Sequence, residues 1–441
     1  MESSELRIEA KDLNQQSTML IKAGNYDAAR ERLDRAIDID PMLMDSYKNY
    51  GDLYMAINNF QEAKNSYKKA FLIEKNGLLY FLYGNACFMN DEVHEGLEYY
   101  NMAITNGYDS DEMMFFMGMA YEHLNDDHMA LRYFQKACIK NPSRPDYIVK
   151  KISAELRLDM LDSAEADTDE LLKTAPELYD GYHIKTQILI HNGDYDQAIS
   201  FARMAADKFP EDADLRYDYI KALAMKKEFK TALSLLDQAS QMKYYEDSKH
   251  QFLLLKAEIL AEDNQYEAAL EVCNSCIEME TADFFNGEAR FMAMNLQLAK
   301  PDYEESLRHA DVLVKKNKED LYYYAALYYK AFCLKQLGQS AEASKAYKEA
   351  NSIYRLHTLS NPGAIDVYLY RAMCLKDLEE YDKSLEILDF ILGLGAEIAE
   401  VYALKADIYK LTGKHASSVE QREKAYALKP ELRPIEQKAG E

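Results

Sequence analysis

One pattern of residue sizes returns along this chain about every 34 positions, and it limits the possible folds more than any other feature. Tyr47, Tyr50 with Gly51, and Tyr54 are followed by Ala63, Tyr67 and Ala70. The same alternation reappears as Tyr80, Tyr83 with Gly84, Gly96, Tyr100 and Ala103, and again as Met114, Met117 with Gly118, Tyr121, Ala130, Phe134 and Ala137. A fixed period means that one supersecondary unit is copied, and a unit so short cannot bury its apolar side alone. Steps of three, four and seven residues inside each copy are helical. Each unit therefore reads as two antiparallel helices, with small residues such as Gly51 and Ala63 at the crossing, where a larger side chain would force the helices apart.

These positions resemble the tetratricopeptide repeat, whose pattern is aromatic, large residue with Gly, Tyr, then Ala, aromatic and Ala; Tyr47 stands where that pattern has Trp. An earlier copy is visible in Gly24, Tyr26, Ala29, Leu33, Ala36 and Pro41, its first helix running from about Ala10 to Ala23. Later copies start at Tyr182, Leu253, Leu327, Tyr368 and Tyr402, and weaker ones fill 145–178, 213–246 and 287–320, for about 12 repeats. The expected fold is an all-α, right-handed α-solenoid superhelix of helix-turn-helix units, with first helices lining a concave groove.

Two interruptions divide the array. The expected organisation is an N-terminal tail over 1–9, repeats 1–7 over 10–241, a longer connector at 242–249, repeats 8–10 over 250–357, a second connector at 358–364 containing Asn361-Pro362-Gly363, repeats 11–12 over 365–432, and a polar tail over 433–441. Asn-Pro-Gly is turn chemistry. Lys410, Lys414, Gln421, Arg422 and Lys424 give the last unit the polar surface of a cap.

Charge and motifs narrow the function. The formal net charge is −24, with acids spread along the chain, so its field repels phosphate backbones and anionic membranes; nucleic acid and membrane are excluded as expected partners. No apolar run approaches the roughly 20 residues that span a bilayer, and the start is polar and acidic, so a cytoplasmic location is expected. The six cysteines lie in apolar helical stretches and read as small core residues; Cys273 and Cys276 have no partner set at metal-ligand spacing. His183 and His191, two helical turns apart, lack a third ligand nearby. Gly393-Leu394-Gly395 is a lone glycine pair without a preceding strand, and no phosphate loop, zinc-protease helix or nucleophile elbow is present. With almost every residue absorbed by repeats, the expectation is no enzyme, no cofactor and no metal.

Recognition remains. The resemblance implies that ligands lie on first-helix residues not used between repeats, which puts Lys48, Asp52, Phe81, Asn85, Phe88, Met89, Phe115, Met119, Glu122 and His123 on the inner surface of the early repeats. The candidate peptide-binding set is Lys48, Phe81, Asn85, Phe88, Met89, Phe115 and Met119, an aromatic and methionine patch with an Asn at a position where some peptide-binding family members hold ligand backbone. A second patch is the run Leu321 to Tyr329, whose tyrosines also serve as packing. The chaperone-tail clamp of the family is absent: Lys48 and Asn49 are present, but Asp52 replaces Asn, and Phe81 and Phe115 replace basic groups. The expected function is a protein-interaction scaffold taking a neutral, hydrophobic or basic peptide segment of a partner; the alternative is a regulatory sensor for a small signalling peptide.

Overall fold

The computed structural model describes residues 2–281, 284–316, 321–396 and 398–433. Of the expected C-terminal tail only Arg433 falls within them. The described residues form an all-α solenoid, without strands. They fall into two compact units, Met1–Ala222 and Leu223–Glu441, divided inside one helix.

In the first unit the helices run α1 (Glu2–Lys22), α2 (Tyr26–Ile39), α3 (Met44–Ala56), α4 (Phe60–Ile73), α5 (Gly77–Met89), α6 (Val93–Thr105), α7 (Asp111–His123), α8 (Asp127–Lys140), α9 (Pro145–Arg157), α10 (Leu161–Thr174), α11 (Tyr179–His191) and α12 (Tyr195–Lys208), followed by α13 (Ala213–Met225), which carries the division. The second unit continues with α14 (Phe229–Ala239), α15 (Tyr245–Glu262), α16 (Tyr266–Glu278), α17 (Gly287–Ala299), α18 (Tyr303–Lys316), α19 (Leu321–Gln336), α20 (Ser340–Ser360), α21 (Ile365–Asp377), α22 (Tyr381–Gly393), α23 (Ala399–Leu411) and α24 (His415–Leu428), and ends in a single 3₁₀ turn, Pro430–Leu432.

Each pair turns through a residue with left-handed backbone. Asn58, Asp91, Asn125 and Asp159 hold φ between 57° and 63° after α3, α5, α7 and α9. Asn and Asp tolerate that region better than other non-glycine residues, and the next amide closes the turn, as Asn59 N–H does on Tyr54 C=O at 2.8 Å.

Packing follows the sequence pattern. A Cβ on Gly51 would lie 2.2 Å from the Tyr67 ring, one on Gly84 2.7 Å from Tyr100, and one on Gly118 2.5 Å from Phe134. The glycines are thus holes that receive the fully buried aromatic ring of the second helix. Five of the six cysteines are buried and Cys138 is half-buried, all with free thiols.

The element limits differ from the expected ones in three places. Helix α1 covers the expected N-terminal tail from Glu2, because no Gly or Pro interrupts the run from Glu2 to Lys22. Helix α15 starts at Tyr245, inside the expected 242–249 connector, and α20 runs to Ser360, inside the expected 358–364 connector. In both, the longer insertion is taken up as extra helical turns rather than as loop. Thr358, buried, turns its hydroxyl back onto the Tyr354 carbonyl at 2.8 Å, which feeds the final turns of α20.

Candidate functional site: the first-helix faces

First helices stack directly on one another within each unit: α1 meets α3 and α5 meets α7 in the first, while α17 meets α19, α19 meets α21 and α21 meets α23 in the second. The first helices α17, α19, α21 and α23 thus form an unbroken run in the second unit, and the first-helix faces of the two units are built differently.

In the first unit most of the aromatic patch is consumed by packing. Phe81, expected on the inner surface, is only 2% exposed. Its ring stacks on Tyr108 at 5.2 Å and meets Tyr100 and Phe116, each at 6.1 Å. The loop after α6 brings Tyr108 over it, so Phe81 is a core residue and not part of an exposed inner surface. Phe115 is half-buried, stacked on Tyr147 at 4.7 Å and tilted against Phe134. Phe88 packs edge-on against Phe116 and His123, and Met119 leans on the Ala130, Leu131 and Phe134 cluster.

The polar members are also engaged. The Asn85 amide oxygen accepts the Tyr100 O–H at 2.8 Å, as Asp52 accepts the Tyr67 O–H at 2.8 Å. Lys48 is ion-paired with Asp52 and Glu122 with Lys150 and Arg157, and His123 Nε2 lies 3.2 Å from Asp91. Met89, at 45% exposure, is the member of the candidate set that most clearly faces water.

Titratable groups elsewhere in this unit are structural. Cys87, Glu92 and Glu95 come within 4.8 Å of one another, the spacing of a metal ligand set. Buried Lys64, however, already pairs with both carboxylates, and burial pushes the Cys87 thiol up to about 12, which keeps the sulfur protonated and a poor ligand. His183 Nδ1 lies 2.6 Å from fully buried Asp218, which also accepts from Gln187 Nε2 at 3.2 Å. That hydrogen bond holds the imidazole above its ordinary value, while burial raises the Asp218 carboxyl. Burial also raises Glu155, one of whose carboxylate oxygens has no hydrogen-bond partner. His191 approaches Asp159, not His183.

The second unit leaves open space along its first helices. One cavity of about 410 Å³ lies among α15, α17 and α19, floored by Phe291, Met292 and Leu296 and edged by Glu258 and Glu288. Another of about 390 Å³ lies among α19, α21 and α23, floored by Tyr329, Leu369, Tyr370, Met373 and Leu404, with Asp366, Lys376, Glu400 and Asp407 at its edge. In the tyrosine-rich run, Tyr323 and Tyr328 belong to the core, and the Tyr328 O–H donates to Asp377 at 2.9 Å, whereas Tyr329 reaches the cavity wall; the side chain of Leu321 lies outside the described residues. Burial raises Tyr329 and Tyr370, so both phenols stay neutral donors. Leu369 and Met373 are not among the residues singled out by the sequence. No helix among the described residues is long and apolar enough to cross a membrane.

Comparison with known proteins agrees with this architecture. Three family models, each described as tetratricopeptide repeat, match residues 189–244, 16–70, and 111–138 with 399–432. The structure of yeast Tom70 superposes with a TM-score of 0.52 and 13% identity, covering 96% of this chain and 98% of that one. A tetratricopeptide repeat protein from Parabacteroides merdae is also similar (TM-score 0.43, 14% identity, 66% and 99% covered), as is YrrB, described as a TPR protein with an unusual peptide-binding site (TM-score 0.38, 20% identity, 44% and 97% covered). No curated protein matches the chain by sequence. Repeated helix pairs, glycine holes filled by aromatic rings and the three family-model matches identify the chain as a tetratricopeptide-repeat protein.

Proposed function

We propose that this protein is a non-catalytic scaffold that holds a segment of a protein partner along the first-helix face of residues 223–441. The observation that carries the reading is the pair of apolar-floored cavities in series on one continuous face, each large enough for a bulky side chain. The corresponding face of the first unit spends its aromatic rings on one another, which favours a structural role there.

The test is to pan a random peptide library against the full chain, the double variant Leu369→Asp/Met373→Asp, and Phe88→Ser/Met89→Ser. Enriched peptides are expected to lose binding to the first variant and keep it on the second. Loss on the second alone would return the site to the early repeats, and peptides indifferent to both would reject the first-helix face altogether.

A further inference from the structure

The cavity among α19, α21 and α23 has charges of opposite sign at its two ends. Asp366 stands in the first turn of α21 and Lys376 in the last, ten residues apart, about 15 Å along the axis. Both line the cavity, and among the described residues neither side chain makes an ion pair or hydrogen bond. Its other two carboxylates are already answered: Glu400 by Lys429 at 3.1 Å, and Asp407 by Arg422. Between the two free charges the floor is Leu369, Tyr370 and Met373. Each charge suits the helix dipole where it stands. The dipole does not explain why both also line the same apolar-floored cavity, where Lys376 is half-buried and has no ion pair, unlike Lys405 on the neighbouring helix, which is paired with Asp389.

We propose, building on the scaffold reading, that this cavity recognises an extended segment of another protein in which a basic and an acidic side chain four residues apart bracket apolar residues. In an extended chain, side chains four positions apart are on one face and about 13 Å apart, a match to the span between Asp366 and Lys376 that side-chain reach completes. The basic group pairs with Asp366, the acidic group with Lys376, and the residue between them stands on Tyr370 and Met373. Complementary charge at both ends fixes the register of the segment more than it adds affinity.

The experiment uses the full chain and three blocked pentapeptides by calorimetry: lysine-leucine-phenylalanine-leucine-glutamate, the same peptide with lysine at both ends, and the same with glutamate at both ends. The bipolar peptide is expected to bind the native chain most tightly, by about fivefold over either other, the scale of one partly exposed ion pair. Lys376→Glu should shift the preference to the double-lysine peptide, and Asp366→Lys to the double-glutamate peptide, with circular dichroism confirming retained helix. Equal binding of the three peptides, preferences that ignore both substitutions, or no binding of the bipolar peptide at millimolar concentration overturns the proposal. So does self-association of the chain abolished by Leu369→Asp, which assigns the cavity to a second copy. If library peptides still depend on Leu369 and Met373 while the charge swaps have no effect, the scaffold reading stands and this refinement falls.

Discussion

Two halves of one repeat array put the same residue types to different uses. In residues 1–222 the small position of three first helices is glycine, an aromatic ring from the second helix drops into each hole, and further rings pack on one another from α5 to α9. In residues 223–441 the corresponding positions in α15, α19, α21 and α23 are Ala257, Ala331, Ala372 and Ala406, all fully buried, and rings such as Tyr329 and Tyr370 stand at the edge of open cavities. Rings packed on one another are spent on the fold, whereas rings that line a cavity remain available to a guest.

The comparison breaks most visibly at Phe81. As a core residue, Phe81→Ser should cost about 3–5 kcal/mol by removing a buried ring, whereas Met89→Ser, on the same helix and in the same candidate set, should change stability by less than about 0.5 kcal/mol. Denaturant melts followed by far-ultraviolet circular dichroism distinguish them. Equal, small effects would mean that Phe81 is accessible and that the first unit keeps an open aromatic face.

A finer contrast is at the helix crossings. Gly51→Ala would normally gain from reduced backbone freedom, but its Cβ meets the Tyr67 ring, which is fully buried and tied to Asp52 through its hydroxyl. Overpacking should dominate, at about 1–3 kcal/mol. The reciprocal change Ala331→Gly should cost only about 1 kcal/mol, from helix propensity. A stabilising Gly51→Ala would show that the ring yields, and would remove the distinction between tight and loose crossings.

Much of this was legible in the sequence, because the repeat is a code in side-chain volume: Gly51, Gly84 and Gly118 against Tyr67, Tyr100 and Phe134 specify both the helix pair and its crossing. The site was less legible. Register alone puts Phe81, Phe115 and Leu369 on equivalent first-helix positions, yet whether such a side chain is covered depends on a distant neighbour: Tyr108 from a loop closes over Phe81, while Leu369 lines a cavity. Covered and open positions have the same spacing, and only the path of the intervening loops and the distance between successive first helices separate them. The ion pair of Lys48 with Asp52 and the hydrogen bond of Tyr100 to Asn85 could have been suspected from helical spacing and from the recurring second-helix tyrosine.

Acidity should separate the halves with the smallest effect. In the first unit, His183 is raised above its ordinary value of about 6.5 by its hydrogen bond to Asp218, with Asp180 and Asp214 adding to the field. A raised histidine contributes stability that is fully present below pH 6.5 and is lost as pH rises through the raised value. In the second unit His309 is lowered, chiefly by burial and then by Arg290, against a smaller opposing influence of Glu305, and its Nδ1 has no partner. There the unfolded chain takes up a proton that the folded one resists, so stability is undisturbed above pH 6.5 and declines as pH falls below it. Melts of the native chain, His183→Gln and His309→Gln at pH 8 and pH 5.5 resolve the two terms: the first variant should lose an acid-side gain and the second an acid-side loss. If both variants moved the acid-side response in one direction, the two histidines would sit in equivalent surroundings, and the electrostatic half of the contrast between the units would be gone.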